Sequence, residues 1–326
     1  MKDQFGRTIN YLRISVTDKC NLRCTYCMPV EGLPWIPKAE ILRYEEIVEI
    51  VRQMADLGLR RVRLTGGEPL VRRDLPNLVR GLRRLDVLED ISLSTNAILL
   101  PAMAEELRAA GVDRLNISLD TLRRDRFTGL ARRPERFFDD TMEGIAAAEA
   151  AGFRPLKINC VVMRGFNDDE LADFAAITRD RPWHVRFIEL MPTEENLFLS
   201  DRFISADELL GRLEQARELR PVEGPRGNGP ARYFQYPGAP GTVGVITPLS
   251  HNYCDRCNRM RLTADGRLRT CLFGTHEIDL KGPLRAIGNV VPAVREALAG
   301  KPERHFLQLG AATGSGGLAA LSEVGG

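Results

Sequence analysis

Short apolar runs alternate with amphipathic helical patterns through roughly the first 192 residues, and this alternation restricts the fold more than any other feature. Two of the helical patterns are followed by Gly111 and Gly152, and glycine ends helices because it adopts the left-handed conformation. Strands separated by helices form parallel βα units. Right-handed crossovers curl six such units toward a barrel, with a doubly wound open sheet as the alternative. The predicted strands are Leu12–Val16, Arg61–Thr65, Ile91–Thr95, Arg114–Ser118, Leu156–Val162 and His184–Glu189, and the predicted helices are Tyr44–Leu57, Asp74–Leu85, Pro101–Ala110, Asp139–Ala151 and Asp168–Thr178.

The alternation stops near residue 192, which predicts a division into residues 1–192 and 193–326. Gly224–Gly241 is rich in glycine and proline and is predicted to be a loop. Arg259–Thr263 and Arg267–Cys271 flank a short turn and are predicted to form a β-hairpin. The second part of the chain is therefore expected to contain a strand at Gly244–Thr247 and one hairpin, and to end in a mobile tail rich in small residues.

The composition is that of a globular protein, with 44% hydrophobic and 28% charged residues and a net charge of +2 over 326 residues. No run of about 18 apolar residues predicts a membrane-spanning helix, and the first 16 residues lack the apolar core of a secretory signal. We therefore expect a cytoplasmic protein without a membrane or nucleic-acid partner. In a reducing compartment, the seven cysteines are more typical of metal or catalytic sites than of disulfides.

The first cysteine triad, Cys20, Cys24 and Cys27, has the spacing C-x3-C-x2-C and follows the first predicted strand. A compact loop of this kind can wrap three thiolates around one metal centre. A [4Fe–4S] cluster is usually held by four thiolates, so three would leave one iron open to a ligand. A zinc site that lacks a ligand and a set of unrelated thiols are the alternatives.

The second triad, Cys254, Cys257 and Cys271, has the spacing C-x2-C-x13-C, and the predicted hairpin returns the last cysteine toward the first two. Three cysteines again favour an iron–sulfur cluster with an open iron. The alternative is structural zinc with His251 as the fourth ligand.

Basic residues on or beside the predicted active-site elements point to a polyanionic substrate, because charges that converge on one cavity neutralise a triphosphate better than scattered ones do. The remaining arginines, including Arg132 and Arg133, are interpreted as solvated surface, and Cys160 as a core residue. The candidate substrate contacts are Arg13, Arg63, Lys157, Arg259 and Arg261.

The first triad, together with two strand-end segments, resembles the radical S-adenosylmethionine (SAM) superfamily. The segments are Gly66–Pro69, which reads GGEP, and Asn116–Asp120, which reads NISLD. The resemblance implies that the open iron binds the amino and carboxylate groups of SAM, whose reductive cleavage yields a 5′-deoxyadenosyl radical. It also implies SAM contacts at Tyr26, Gly67, Ser118 and Met191.

Longer segments resemble the GTP 3′,8-cyclase (MoaA) family of molybdenum cofactor biosynthesis. They include LRISVTDKCNLRCTYCMP, RLTGGEPLVRRDL, RFIELMP and YCDRCNRMRLTADGRLRTCLF. The resemblance implies an α/β fold, a partial (βα)6 TIM-like barrel whose open side is closed by the C-terminal iron–sulfur-binding extension. It implies two [4Fe–4S] clusters and a lyase that converts GTP to its 3′,8-cyclised dihydro form, with guanine on the second cluster. It implies GTP contacts at Arg13, Arg63, Ser94, Lys157, Arg259 and Arg261, and a catalytic flexible tail at Gly325 and Gly326.

Two other functions stay open on the sequence alone. The first is a radical SAM enzyme with an auxiliary cluster that acts on a peptide, and the second is a non-catalytic iron–sulfur or zinc regulator. The expected partners are GTP and a reducing electron donor, with a homodimer as a further candidate. The peptide enzyme would predict a peptide-docking element and more C-terminal cysteines, neither of which the sequence shows. The regulator would need neither GGEP nor the converging basic residues.

Overall fold

Parallel strands form the centre of a twelve-stranded sheet in the computed structural model, which describes residues 1–193, 196, 200–225, 227, 229–305 and 307. No helix in these ranges is long and apolar enough to cross a membrane. The strands β1 to β12 are Tyr11–Ser15, Arg61–Thr65, Asp90–Thr95, Arg114–Ser118, Lys157–Val162, His184–Glu189, Arg220–Val222, Arg232–Gln235, Thr242–Ile246, Arg259–Leu262, Arg267–Arg269 and Glu277–Asp279. The helices α1 to α9 are Tyr44–Asp56, Leu75–Arg83, Ala104–Ala110, Arg124–Ala131, Arg136–Ala150, Leu171–Asp180, Ala206–Ala216, Lys281–Ile287 and Val291–Ala299.

The sheet has the order β12-β11-β10-β1-β2-β3-β4-β5-β6-β9-β8-β7. Strands β1 to β6 are parallel neighbours in chain order, and β10 and β9 continue the parallel pairing outside β1 and β6. Every crossover among the first six strands advances in the same direction, as in a barrel, whereas a doubly wound sheet reverses direction. The sheet stays open between β12 and β7, which confirms the expected α/β partial barrel.

Alternation along the strands separates the core from the interior of the barrel, because successive side chains point to opposite faces. In β1, Leu12 and Ile14 are fully buried in the hydrophobic core, whereas Tyr11 and Arg13 line the interior cavity. The helices cover the outer face of the sheet. Each fully buried aliphatic side chain contributes about 1.5–3 kcal/mol, so the outer layer stabilises the fold and leaves the inner face available for polar side chains.

The predicted strands and helices of the first part match the structure closely. Each of the six predicted strands is present with its ends shifted by no more than one residue. Gly111 and Gly152 follow helices with φ of +110° and +77°, which confirms the predicted helix ends. The predicted hairpin is also present, with Arg261 opposite Arg269 and Gly266 in its turn at φ +91°.

The structure also contains elements that the sequence analysis did not predict, including helices α7, α8 and α9 and strands β7 and β12 of the second part. The predicted loop Gly224–Gly241 contains strand β8, whose residues pair antiparallel with β9 and place Phe234 in the core. Helix α4 was not predicted, because its sequence RDRFTGLA has a weakly amphipathic pattern. In both cases, packing against a neighbouring element stabilises a segment whose local sequence gives little indication of its structure.

Candidate active site

One cavity opens at the carboxyl ends of the central strands, where βα barrels gather their functional side chains. It is lined from one side by the loop that follows β1 and from the other by residues of β1, β2 and β10. The structure brings twelve of the predicted site residues to this cavity: Arg13, Cys20, Cys24, Tyr26, Cys27, Arg63, Gly67, Ser94, Ser118, Met191, Arg259 and Arg261.

The first cysteine triad lies on a tight loop, and its half-buried cysteines form no disulfide. The amide of Cys27 donates to the carbonyl oxygen of Cys24 at 2.9 Å. Burial raises the pKa of Cys20 to about 11. Burial, the carboxylate of Asp120 and the other two thiols raise the pKa of Cys24. Because the three cysteines lie on one loop and line one cavity, they fit an iron–sulfur cluster, which would bind them as thiolates.

The end of helix α4 holds this loop in place. Arg133 donates from Nε to the carbonyl oxygen of Asn21 at 2.7 Å, and Arg132 donates from Nη1 to that of Met28 at 3.0 Å. The interpretation of these two arginines as solvated surface was therefore wrong. Arg132 reaches the loop from a left-handed backbone position with φ +49°. Sequence reasoning missed this role because nothing local indicates which backbone a long side chain will meet.

The GGEP turn packs directly against the cysteine loop. A Cβ added to Gly67 would lie 2.6 Å from the carbonyl carbon of Lys19 and 2.7 Å from the carbonyl oxygen of Asp18. Such distances are too short for any side chain, so glycine is required here by the close approach of the two backbones. The buried carboxylate of Glu68 accepts hydrogen bonds from the Asn96 amide at 2.7 Å and the Thr95 hydroxyl at 2.8 Å.

Asp120 joins the cysteine loop to the carboxyl end of β4. Its carboxylate accepts a hydrogen bond from the Tyr26 hydroxyl at 2.9 Å and another from the Val161 amide at 2.8 Å. Burial raises the pKa of Asp120 to about 6 in spite of these two donors. The amide side chain of Asn196 donates to the carbonyl oxygen of Tyr26 at 2.7 Å. Sequence analysis did not anticipate the bond between Asp120 and Tyr26, although the strand-end carboxylate in NISLD was a visible signal.

A row of arginines faces the cysteine loop across the cavity. The parallel register of β10, β1 and β2 places Arg261, Arg13 and Arg63 side by side. Burial and the neighbouring charges of Arg261 and Arg63 lower the pKa of Arg13. Arg259, on the same strand as Arg261, stacks over the ring of Tyr253 at 4.8 Å. Adjacent cations that line one cavity in this way form a site for a polyanion.

Arg186 adds a further cation that sequence analysis missed. It is 2% exposed, lines the same cavity and donates from Nη2 to Oδ1 of Asn116 at 2.6 Å. Burial lowers the pKa of Arg186. The buried Oδ1 of Asn159, also in the lining, has no hydrogen-bond partner within the described ranges. The RFIELMP segment contained the signal for Arg186, since its strand alternation places this residue on the inner face.

Lys157 is buried on β5, in register with Asn116 and His184, but it is not part of the cavity lining. Burial, followed by the charges of Arg186 and Arg114, lowers its pKa to about 6. A Cβ on Gly227 would lie 2.8 Å from Nζ of Lys157, so the backbone at this position approaches the amine closely. An anionic ligand near Lys157 would favour its charged form.

The second triad lies next to the amino end of β10. Cys254 begins a short 3₁₀ turn in which its carbonyl oxygen accepts from the Cys257 amide at 3.2 Å, and Cys271 follows β11. All three thiols are free and half-buried. Within the described ranges, no three His, Cys, Asp or Glu side chains are gathered as they would be around a single metal ion.

The zinc alternative for this triad needed His251 as the fourth ligand. In the structure, Nε2 of His251 lies 2.8 Å from the carboxylate of Asp207, on helix α7. The histidine is therefore engaged away from the thiols, which favours the iron–sulfur interpretation. The predicted catalytic tail, Gly325 and Gly326, lies outside the described residues.

Charges differ sharply between the two triads. Burial alone would raise the pKa of Cys257, but the ammonium of Lys301 and the guanidinium of Arg259 lower it below its ordinary value. Burial, followed by the charge of the Asp120 carboxylate, shifts the pKa of Cys24 in the first triad in the opposite direction. The carboxylates of Glu68 and Asp120 thus act on the first triad, whereas the charged groups that act on Cys257 of the second are cations.

Comparisons with known proteins agree with this architecture. The Radical SAM superfamily model matches residues 14–177, and the Molybdenum Cofactor Synthesis C model matches residues 183–307. A GTP 3′,8-cyclase from Moorella thermoacetica is 49% identical over 95% of this chain and 96% of its own. The Geobacter sulfurreducens protein of that name is 48% identical over 93% of each. Among solved structures, SuiB from Streptococcus suis superposes with a TM-score of 0.62 at 16% identity, covering 89% of this chain and 68% of SuiB.

Proposed function

The chain belongs to the GTP 3′,8-cyclase family of radical SAM enzymes, and from this membership we propose how its residues convert GTP to 3′,8-cyclo-7,8-dihydroguanosine triphosphate. The observation that carries the proposal is the meeting of the first cysteine loop and the arginine row in one cavity. A site for reductive chemistry on one wall and a site for a polyanion on the other suit a radical reaction on a nucleoside triphosphate.

The residues of the first site fit a [4Fe–4S] cluster and SAM. Cys20, Cys24 and Cys27 hold the cluster, which when bound supplies the reductive cleavage of SAM. Gly67 lets the backbone approach the ligand, and Tyr26 is held by its bond to Asp120. Ser118, at the end of β4, and Met191 complete the proposed SAM contacts, since both line the cavity.

The residues of the opposite wall bind and orient GTP. Arg13, Arg63 and Arg261 contact the triphosphate, since their shared register concentrates positive charge in one place. Ser94 offers a hydroxyl in the lining and Arg259 a further cation, while Lys157 contributes through its ammonium once an anion is present. Held in this way, C3′ of the ribose faces the SAM site, which positions its hydrogen for abstraction and C8 of guanine for ring closure.

The second triad holds a second cluster in this proposal. Cys254, Cys257 and Cys271 would hold this cluster, which when bound would supply a binding position for the guanine of GTP. The tail glycines, Gly325 and Gly326, act in catalysis next to the same substrate. The division of labour follows the division of the chain, with SAM chemistry in residues 1–192 and substrate capture completed by residues 193–326.

The enzyme works in the cytoplasm in this proposal, because a reducing compartment suits seven cysteines that form no disulfide. It receives electrons from a reducing donor, and a second copy of the chain is a candidate partner. Its product is a precursor of the pterin of the molybdenum cofactor, as the family assignment implies.

Anaerobic reconstitution tests the proposal directly. We expect about eight irons and eight sulfides per chain, as two cubane clusters require. The reduced protein mixed with SAM and GTP should form 5′-deoxyadenosine in a GTP-dependent manner. Tightly bound zinc in place of iron, or equal formation without a nucleotide, would overturn the proposal.

Two variants separate the roles of the two walls. Cys24→Ala should abolish SAM cleavage, because it removes a cluster ligand. Arg261→Ala should retain the first cluster and chiefly raise the GTP concentration needed for half-maximal turnover. Full activity of either variant would contradict the role assigned to that residue.

A further inference from the structure

Lys301 is a buried lysine that neither the proposed reaction nor the sequence analysis uses. It follows helix α9, which ends at Ala299, and it is only 2% exposed. Its ammonium lies 3.7 Å from the sulfur of Cys257 and donates to the carbonyl oxygen of Arg259 at 3.0 Å. It also donates to the carbonyl oxygen of Thr270.

These three contacts link both chain segments of the second triad. Arg259 lies two residues after Cys257, and Thr270 immediately precedes Cys271. An ammonium group has three N–H donors and no acceptor. Two carbonyl oxygens and one sulfur therefore use its full donor capacity, and the amine fixes the spacing between the two cysteine backbones.

The charge of Lys301 has no carboxylate partner at ion-pair distance within the described part of the chain. A buried charge is costly unless an opposite charge compensates it. The nearest group able to become an anion is the thiol of Cys257. Cysteines that bind iron are thiolates, so an occupied triad would supply the missing negative charge.

A second buried cation anchors the same segment. Arg7 donates to the carbonyl oxygen of Cys254 at 2.7 Å and to those of Pro302 and Glu303, both at 2.6 Å. Its Nε binds the carboxylate of Asp3 at 2.6 Å, so the charge of Arg7 is already compensated. Of the two cations, Lys301 is the one whose charge is directed at a sulfur.

We propose that Lys301 is a positioning residue of the second triad, where its ammonium donates to the Cys257 sulfur and compensates the charge of a bound iron–sulfur cluster. The inference rests on the proposed function, which places a cluster on Cys254, Cys257 and Cys271. Hydrogen bonds to the sulfur ligands and nearby charge are two of the levers that set the potential of such clusters. Lys301 supplies both.

The test uses the full chain with Cys20, Cys24 and Cys27 changed to alanine, so that only the second triad can hold iron. This parent should bind about four irons after anaerobic reconstitution. Lys301→Met, which keeps the length of the side chain without its charge, is then compared with the parent by potentiometric titration and by iron loss to a chelator. Lys281→Met is the matched control, since Lys281 pairs with Glu40 on the surface.

We expect Lys301→Met to lower the midpoint potential, because a nearby cation stabilises the reduced, more negative cluster. We also expect roughly a 10-fold or greater loss of iron affinity, the usual size of an effect from a residue behind a metal ligand. Lys301→Arg, which keeps the positive charge, should have a midpoint potential close to that of the parent. A parent that binds no iron would refute the second cluster itself, whereas equal potentials and equal iron loss in Lys301→Met and Lys281→Met would refute the role of Lys301.

A measurement without any change at Lys301 guards against a variant that does not fold. The parent is produced with ¹⁵N-labelled lysine, and its reduced cluster is studied by pulsed electron paramagnetic resonance. We expect a coupling to one lysine nitrogen that changes with the isotope. Absence of that coupling would overturn the proposal whatever the stability of the variants.

Discussion

Glu68 is a buried carboxylate whose ionisation opposes folding. Desolvation raises its pKa to about 7 against an ordinary value of 4.5, although the Leu70, Thr95 and Asn96 donors favour the ionised form. Between these two values, the folded chain holds a proton that the unfolded chain has released. The contribution of Glu68 to the free energy of unfolding is therefore fully present below pH 4.5 and is lost as the pH rises through 7.

We expect Glu68→Gln to flatten the pH dependence of stability in the metal-free chain. At about 1.4 kcal/mol per pKa unit, Glu68 contributes a loss on the order of 3 kcal/mol between pH 4.5 and 7. Urea unfolding of both proteins at pH 5, 6 and 7 under anaerobic, reducing conditions measures this slope. Asp120 titrates in the same range in both proteins, so its contribution cancels. Parallel slopes would show that Glu68 is not the group responsible.

Gly67 gives a steric prediction at the same scale. In Gly67→Ala the new methyl group meets the backbone of Asp18 and Lys19, which cannot move without shifting Cys20. We expect the variant to reconstitute about four irons instead of about eight, through loss of the first cluster alone.

The matched control is Gly211→Ala, in helix α7, where an added Cβ has no neighbour within 4 Å. This change should leave the iron content intact and stabilise the chain by about 0.5–1 kcal/mol, because alanine favours helix more than glycine does. Full iron content in Gly67→Ala would mean that the two backbones can separate at little cost.

At the scale of elements, the pairing of β10 with β1 is the connection that builds the polyanion site. The hairpin returns from the end of the chain and adds Arg261 beside Arg13, in register. Neighbouring strands are about 4.8 Å apart, so these side chains start close together. Burial and the charge of Arg259 lower the pKa of Arg261 to about 10. Without an anion, the arrangement costs stability.

We expect Arg261→Met to raise the thermal midpoint of the nucleotide-free chain and to reduce the further rise on adding GTP. The first effect follows from relief of repulsion among buried cations, and the second from weaker binding, since a ligand stabilises in proportion to its affinity. Differential scanning fluorimetry with and without GTP measures both. Arg52→Met is the control, because it removes a surface pair with Glu49 worth at most about 1 kcal/mol. It should change the thermal midpoint, and the further rise on adding GTP, much less than Arg261→Met does.

Sequence patterns predicted those strands and helices whose own residues show a clear apolar periodicity or a terminating glycine. The six central strands combine apolar alternation with glycine-terminated helices, and they were located within one residue. Strand β8 was missed because its four residues, RYFQ, lie in a proline- and glycine-rich stretch, and β9 is what holds them extended. Register between β1 and β10 could not be read from the sequence, since it joins residues about 250 positions apart.

The same distinction applies to the site. Cysteine spacing and strand-end segments are local, and with the basic residues of the strands they identified twelve of the residues that line the cavity. Arg132, Arg133 and Lys301 contact backbone and sulfur atoms that only the folded chain brings near, so local patterns gave no indication of them. Arg186 lay within a segment already noted, and strand alternation alone would have placed it on the inner face.

For the whole molecule, the open sheet explains how the second cysteine site comes to lie behind the arginine wall of the cavity, whose lining includes the first triad but none of the cysteines of the second. Strands β10 to β12 extend the sheet beyond β1, so the second triad comes to lie beside the wall opposite the first. Different parts of the chain supply the charged side chains near the two sites. Glu68 and Asp120, from the barrel, lie near the first, whereas Lys301 and Arg259, from the last third of the chain, lie near the second.

This asymmetry predicts that the second cluster has the higher reduction potential. An added electron is stabilised by nearby cations and destabilised by nearby carboxylates, and net charge around a cluster is one determinant of its potential. Potentiometric titration compares two full-length variants, one with Cys20, Cys24 and Cys27 changed to alanine and the other with Cys254, Cys257 and Cys271 changed. We expect the first variant, which retains the second cluster, to be reduced at the higher potential. Raising the pH from 6 to 8 should widen the gap, because Glu68 and Asp120 lose their protons in that range, and a gap that narrows or reverses would contradict the electrostatic account.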